Sequence, residues 1–145
     1  ALLDFAEQYP LDLSNLIVME TGGMKGRRVE ITRFELHDSL KSKLNQQDIY
    51  SEYGMCELLS QAYAKKNGVF SCPPWMRVYT RPIGEPFSDM QVNKSGILKV
   101  IDLANIYSCS FIETADLGIV SDDGSFEVIG RIDHAQIRGC ALLTF

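Results

Sequence analysis

The string YGMCEL at residues 53–58 places an aromatic ring, a glycine, a thiol and a carboxylate within five positions. Tyr53 carries a flat apolar face. Gly54 admits backbone conformations closed to other residues. Cys56 is of a nucleophilic type, and Glu57 is an acid. Two readings stand: a catalytic turn, or the entrance to a helix whose N-terminus Glu57 complements. A second constellation lies in ADLGIVSDDGSFEVIGRID. Folded as a hairpin centred near Asp123, this stretch puts Asp116 opposite residue 130 and beside Arg131, at the mouth far from the turn. A carboxylate can accept two hydrogen bonds from a ribose diol, and a guanidinium can bind a hydroxyl or a phosphate. The competing reading is a surface ion pair worth under about 1 kcal/mol.

The elements that must position these groups follow from local patterning. ALLDFAEQY reads as a short helix stopped by Pro10. NLIVME is an apolar run between turn formers and is expected as a buried strand, with TGGMKG as the loop after it. In ITRFELHDSLKSKLN, Thr32 and Glu35 form a capping box and Ile31 with Leu36 a hydrophobic staple. Leu36, Leu40 and Leu44 recur on one helical face, and Lys41 and Lys43 stand near the negative end of the dipole. DIYSEYG is a second strand, so strand, helix and strand form a parallel β-α-β unit. A second helix is expected from about Glu57 to Lys66, ending at Asn67–Gly68.

Beyond that point the texture changes. The stretch GVFSCPPWMRVYTRPIGEPF holds all but one of the five prolines and the single tryptophan. Runs such as ILKVIDL, LGIV and SFEVIGR, separated by turn signals, predict short antiparallel strands. The fold class is therefore α/β: a β-α-β unit with parallel strands, residues 1–68, followed by a mainly antiparallel β region, residues 69–145.

Composition bounds the rest. A chain of 145 residues, 46% apolar and 23% charged, suits one soluble domain or part of one. A net charge of -5 disfavours nucleic acid as a partner. No apolar run is long enough for a membrane span, and the acidic first residues do not read as a signal peptide. The four cysteines are widely spaced without a C-x-x-C, which points to a reducing cytoplasm instead of zinc or a disulfide framework. His37 beside the leucine stripe reads as a structural histidine, and the role of His134 stays open. Cys56, Cys72, Cys109 and Trp75 read as packing residues.

Taken in order, ETGGMKG, YGMCE, TADLG and GRIDHAQIRGC resemble segments of the adenylate-forming superfamily, which includes acyl-CoA synthetases and phenylacetate-CoA ligases. With Cys140 followed only by ALLTF, the chain is more closely similar to the acyl-protein synthetases (the LuxE-like family). The resemblance runs from about Asp12 onward and implies that the α/β fold belongs to the large domain of such an enzyme. It implies that Thr21, Gly22 and Gly23 line an adenine and acyl pocket, with Tyr53, followed by Gly54, stacking on adenine. Glu57 would help hold Mg²⁺, Asp116 would grip the ribose hydroxyls, and Arg131 would contact ribose or phosphate. Asp133 would mark a hinge, and Cys140 would carry the acyl group as a thioester, unless it is a small buried apolar group.

The implied cofactors are ATP or AMP and Mg²⁺. The implied partners are a fatty acid or other carboxylate and an acyl acceptor such as a reductase subunit. Two departures are visible: Cys56 stands where many members have threonine, and Ala115 where glycine is commoner. Nothing here resembles the Ser/Thr/Gly-rich phosphate loop that the family carries upstream. The expectation is thus the C-terminal part of a longer enzyme, inactive alone, with apolar surface that favours self-association.

Overall fold

The helix that the capping box predicts is present as α2, Arg33–Leu44. The Thr32 hydroxyl accepts the Glu35 amide at 3.2 Å while the Glu35 carboxylate takes the Thr32 N–H at 2.8 Å, so two orphan donors of the first turn are satisfied at once. Asn45 closes the helix in the left-handed region at φ 52°, its N–H returning to Lys41. The computed structural model describes residues 2–9, 11–22, 32–85 and 87–132. Among them a short helix α1, Leu2–Gln8, packs on α2, and Leu3, Ala6, Leu40, Leu44 and Ile49 form a small core between them. No helix among the described residues is long and apolar enough to cross a membrane.

Strand β1, Met19–Thr21, runs parallel to β2, Tyr50–Tyr53, with Thr21 level with Glu52. The β-α-β unit is therefore present, with one correction. Leu16 and Ile17 are 60% and 73% exposed, so NLIVME is not a buried strand. A turn closed by the Leu16 N–H on the Leu13 carbonyl occupies its first half, and pairing starts only at Met19.

The expected helix over Glu57–Lys66 is absent, and this is the larger correction. The segment is a turn followed by β3, Ala62–Ala64, antiparallel to β2. Leu58, Ser60, Ala62 and Ala64 are buried while Leu59, Gln61, Tyr63 and Lys65 are exposed, a period of two. Pairing with β2 takes the backbone of Ala62–Ala64, and a distant carboxylate anchors the turn before it. Asp102 accepts the amides of Leu59 and Ser60, each at 2.9 Å, and the Ser60 hydroxyl at 2.7 Å, which fixes this segment against the end of β6.

The second half is a five-stranded antiparallel sheet in the order β4-β8-β7-β6-β5. Its strands are β4, Val69–Phe70; β5, Met76–Arg81; β6, Ser95–Asp102; β7, Phe111–Val120; and β8, Phe126–Arg131. One core joins both sheets: Tyr53, Leu58, Ala62 and Ala64 pack with Phe70, Met76, Val78, Leu98, Val100, Val120 and Phe126. The β7–β8 hairpin pairs Val120 with Phe126, as a centre at Asp123 requires, but the register shifts by one between Leu117 and Gly118. Ile129 is the extra residue. This bulge sets Arg131, not residue 130, directly opposite Asp116. Gly118 sits at the irregularity because a Cβ there would lie 2.4 Å from the Glu127 carbonyl oxygen and 2.7 Å from Leu98.

Candidate functional site

The carboxyl ends of β1 and β2 lie side by side, the edge at which open α/β sheets bind ligands. Thr21 ends β1 and Gly22 follows at φ 72°, a conformation glycine adopts without steric cost. Tyr53 ends β2 and leads into the exposed Gly54. From the other sheet, the mouth of the β7–β8 hairpin approaches the same region. The Tyr53 hydroxyl donates to Asp116 Oδ2 at 2.9 Å, and Arg131 Nε lies 3.1 Å from Asp116 Oδ1.

Tyr53, Asp116 and Arg131 are thus brought together although they are far apart in sequence. The Asp116 side chain is 15% exposed and that of Arg131 47%. Thr114 steadies the carboxylate's backbone: its hydroxyl accepts the Asp116 N–H and donates to the Leu98 carbonyl, both at 3.0 Å. Sequence reasoning missed Thr114. The signal was a hydroxyl two residues before the aspartate, the spacing at which Ser and Thr side chains bond local backbone.

The ring of Tyr53 is committed to the core. The residue is 8% exposed, and its ring meets Phe70 at 5.9 Å and Phe126 at 5.3 Å, both steeply inclined. Little ring face is open for a purine, so Tyr53 reaches the site through its hydroxyl. Burial first, then the charge and hydrogen bond of Asp116, push the phenol well above its ordinary range and keep it a donor.

Glu57 stands on the neighbouring turn with its side chain exposed. Its carbonyl accepts Asn105 Nδ2 at 2.8 Å, and the same amide group donates to the Cys109 carbonyl at 2.9 Å. Among the described residues no three of His, Cys, Asp and Glu gather closely enough to hold a metal ion. An exposed single carboxylate fits Mg²⁺ only in the way that ion is often held, by one or two protein groups together with substrate phosphates and water. Gly23, Asp133, His134 and Cys140 lie outside the described residues.

The remaining singled-out side chains divide. His37 is buried, 3.3 Å from the Ser51 hydroxyl and 3.6 Å from Glu20, as a structural histidine would be. Cys72 packs on the core and burial pushes its thiol up to about 11. Cys56 and Cys109 are exposed, which corrects their reading as packing residues. Trp75 is half exposed, which corrects its reading as a packing residue, and its indole N–H donates to the Ser60 hydroxyl at 3.0 Å.

No family model matches the sequence, and no curated protein matches it. Solved structures do match. O-succinylbenzoate coenzyme A synthetase (MenE) from Bacillus subtilis in complex with AMP superposes with a TM-score of 0.59 at 18% identity, over 90% of this chain and 29% of that one. ATP-bound MatB from Rhodopseudomonas palustris gives 0.55 at 13%, over 79% and 25%. The luciferase-like enzyme from the nonluminescent Zophobas morio mealworm gives 0.56 at 21%, over 90% and 34%. The chain therefore spans about a third or less of the length of each. At these identities the likeness is one of fold: a β-α-β unit joined to an antiparallel sheet, as found in part of these three structures.

Proposed function

We propose that this chain is part of an enzyme that activates a carboxylate with ATP. The observation that carries the reading is Asp116, held between a phenol and a guanidinium beside the carboxyl ends of two parallel strands. One oxygen accepts a hydrogen bond, the other is ion-paired and the side chain keeps some exposure, which suits two vicinal hydroxyls of a ribose. Arg131, half exposed, adds positive charge for a ribose oxygen or a phosphate. Thr21, Gly22 and Gly23, with Gly54, would form the wall against the base and the acyl group. Glu57 would contribute one ligand to a Mg²⁺ ion on the phosphates.

In the first step a carboxylate oxygen attacks the α-phosphorus of ATP. The bond from that phosphorus to the bridging oxygen breaks, giving an acyl-adenylate and pyrophosphate. In the second step a thiolate attacks the acyl carbon and AMP departs. The chain's contribution is orientation of the nucleoside and stabilisation of charge. A fatty acid is the proposed substrate and Cys140 the proposed acceptor, with onward delivery to a partner such as a reductase. The exposed Ile17, Phe87 and Tyr107 favour contact with the remainder of such an enzyme or with a second copy.

The test is carboxylate-dependent exchange of pyrophosphate into ATP by the full-length protein. Exchange with a fatty acid is the expected result, and silence across fatty and aromatic acids would remove the activity. A second reading takes coenzyme A or a carrier as acceptor, favoured by the likeness to a coenzyme A synthetase. Labelled acyl transfer to wild type and Cys140→Ala separates the two: label on both proteins alike excludes the cysteine.

A further inference from the structure

A phenylalanine would fill the space of the Tyr53 ring, which packs against two phenylalanines, Phe70 and Phe126. What the tyrosine adds is one buried hydroxyl, and its partner is Asp116. The two groups that hold Asp116 come from different sheets and meet different oxygens: the Tyr53 hydroxyl at the end of β2 donates to Oδ2, and the Arg131 guanidinium of β8 is ion-paired with Oδ1. A carboxylate gripped on both oxygens cannot rotate freely about its Cβ–Cγ bond. Its two remaining acceptor directions are then fixed in space before any ligand arrives, which lowers the ordering cost of binding.

We propose that Tyr53 is a positioning residue whose hydroxyl, and not an open ring face, aims the Asp116 carboxylate at a vicinal diol, so that it selects ribonucleotides over their deoxy counterparts. The inference rests on the nucleotide reading of this site and assigns Tyr53 a role within it. It predicts an effect that depends on the sugar of the ligand and not on the base.

The experiment titrates the 145-residue chain, wild type and Tyr53→Phe, with AMP and with 2′,3′-dideoxy-AMP. The substitution keeps the aromatic contacts, and a denaturant unfolding curve reports that the variant is folded. AMP should bind Tyr53→Phe about tenfold more weakly, the scale of one hydrogen bond to a charged group. The dideoxy nucleotide should bind both proteins alike. Adding Asp116→Asn to Tyr53→Phe should weaken AMP no more than Asp116→Asn does alone, because the phenol acts through that carboxylate. Equal affinity of wild type and Tyr53→Phe for AMP would overturn the inference and leave the nucleotide site standing. Equal loss for both nucleotides would also overturn it, since that is the mark of a ring packed on the base. No binding of AMP to wild type would remove the site and the inference together.

Discussion

Two aspartates of the antiparallel sheet, one at the end of β6 and one inside β7, make contrasting use of the same carboxylate. Asp102, at the end of β6, is fully buried and saturated. It accepts the amides of Leu59, Ser60 and Ala104 and the Ser60 hydroxyl, at 2.7 to 3.1 Å. Asp116, in β7 at the hairpin mouth, takes one hydrogen bond and one ion pair, on different oxygens, and keeps some exposure. The first is a clamp, because nothing is left for a ligand. The second would be a receptor under the proposed function, because it keeps acceptor directions that a clamp has used up. Burial and donor count, and not residue type, separate the two.

The largest effect expected from breaking the contrast is at the clamp. Asp102→Ala strands three amides and a hydroxyl and frees the turn that carries Glu57. A loss on the order of 3 kcal/mol or more in unfolding free energy should appear by chemical denaturation. The clamp also sets an acid limit. Burial opposes the charge on Asp102, but hydrogen bonds from Ser60, Leu59 and Ala104 outweigh it and hold the carboxyl below its ordinary range. A depressed carboxyl stabilises the fold above its unfolded value near 3.8, and that stability is lost as pH falls through the lower folded value. The difference in stability between pH 7 and pH 3 should shrink in Asp102→Asn.

A smaller effect is expected at Gly118, where a methyl group would press on the Glu127 carbonyl and Leu98. Gly118→Ala should cost about 1–3 kcal/mol through overpacking and should also weaken AMP, because it disturbs the register that faces Asp116 with Arg131. The smallest stability change belongs to the receptor. Asp116→Asn retains an acceptor for Tyr53 and should alter unfolding by under about 1 kcal/mol while AMP binding falls tenfold or more. A loss in Asp116→Asn as large as that in Asp102→Ala would erase the distinction.

Much of this contrast was legible in the sequence on the receptor side. The hairpin centre follows from Asp122–Asp123–Gly124, and it brings Asp116 to within one position of Arg131 without any tertiary knowledge. Helix α2 announced itself through Thr32, Glu35 and the leucine spacing. The bulge that completes the approach of Asp116 to Arg131 was not legible, since Val128, Ile129 and Gly130 form an unremarkable strand run. The clamp was invisible for a different reason. Asp102 anchors Leu59 and Ser60 across more than 40 positions, and β2 pairs with the stretch that follows, so neither partner is local. The link from Tyr53 to Asp116 has the same character, so the ring was legible and the hydroxyl's task was not.

The extra residue at Ile129 gives the guanidinium its side of the sheet by parity alone. Val120, Gly118 and Asp116 alternate on one surface of β7, and Arg131 joins that surface only because the count on β8 is odd where a regular ladder would be even. Excising Ile129 straightens the strand and leaves Arg131 across from Asp116. Excising Ile129 and Gly130 together swings it to the reverse surface. Two shortenings that differ by a single glycine, and that remove no charged group, would thus part a working pair from a separated one.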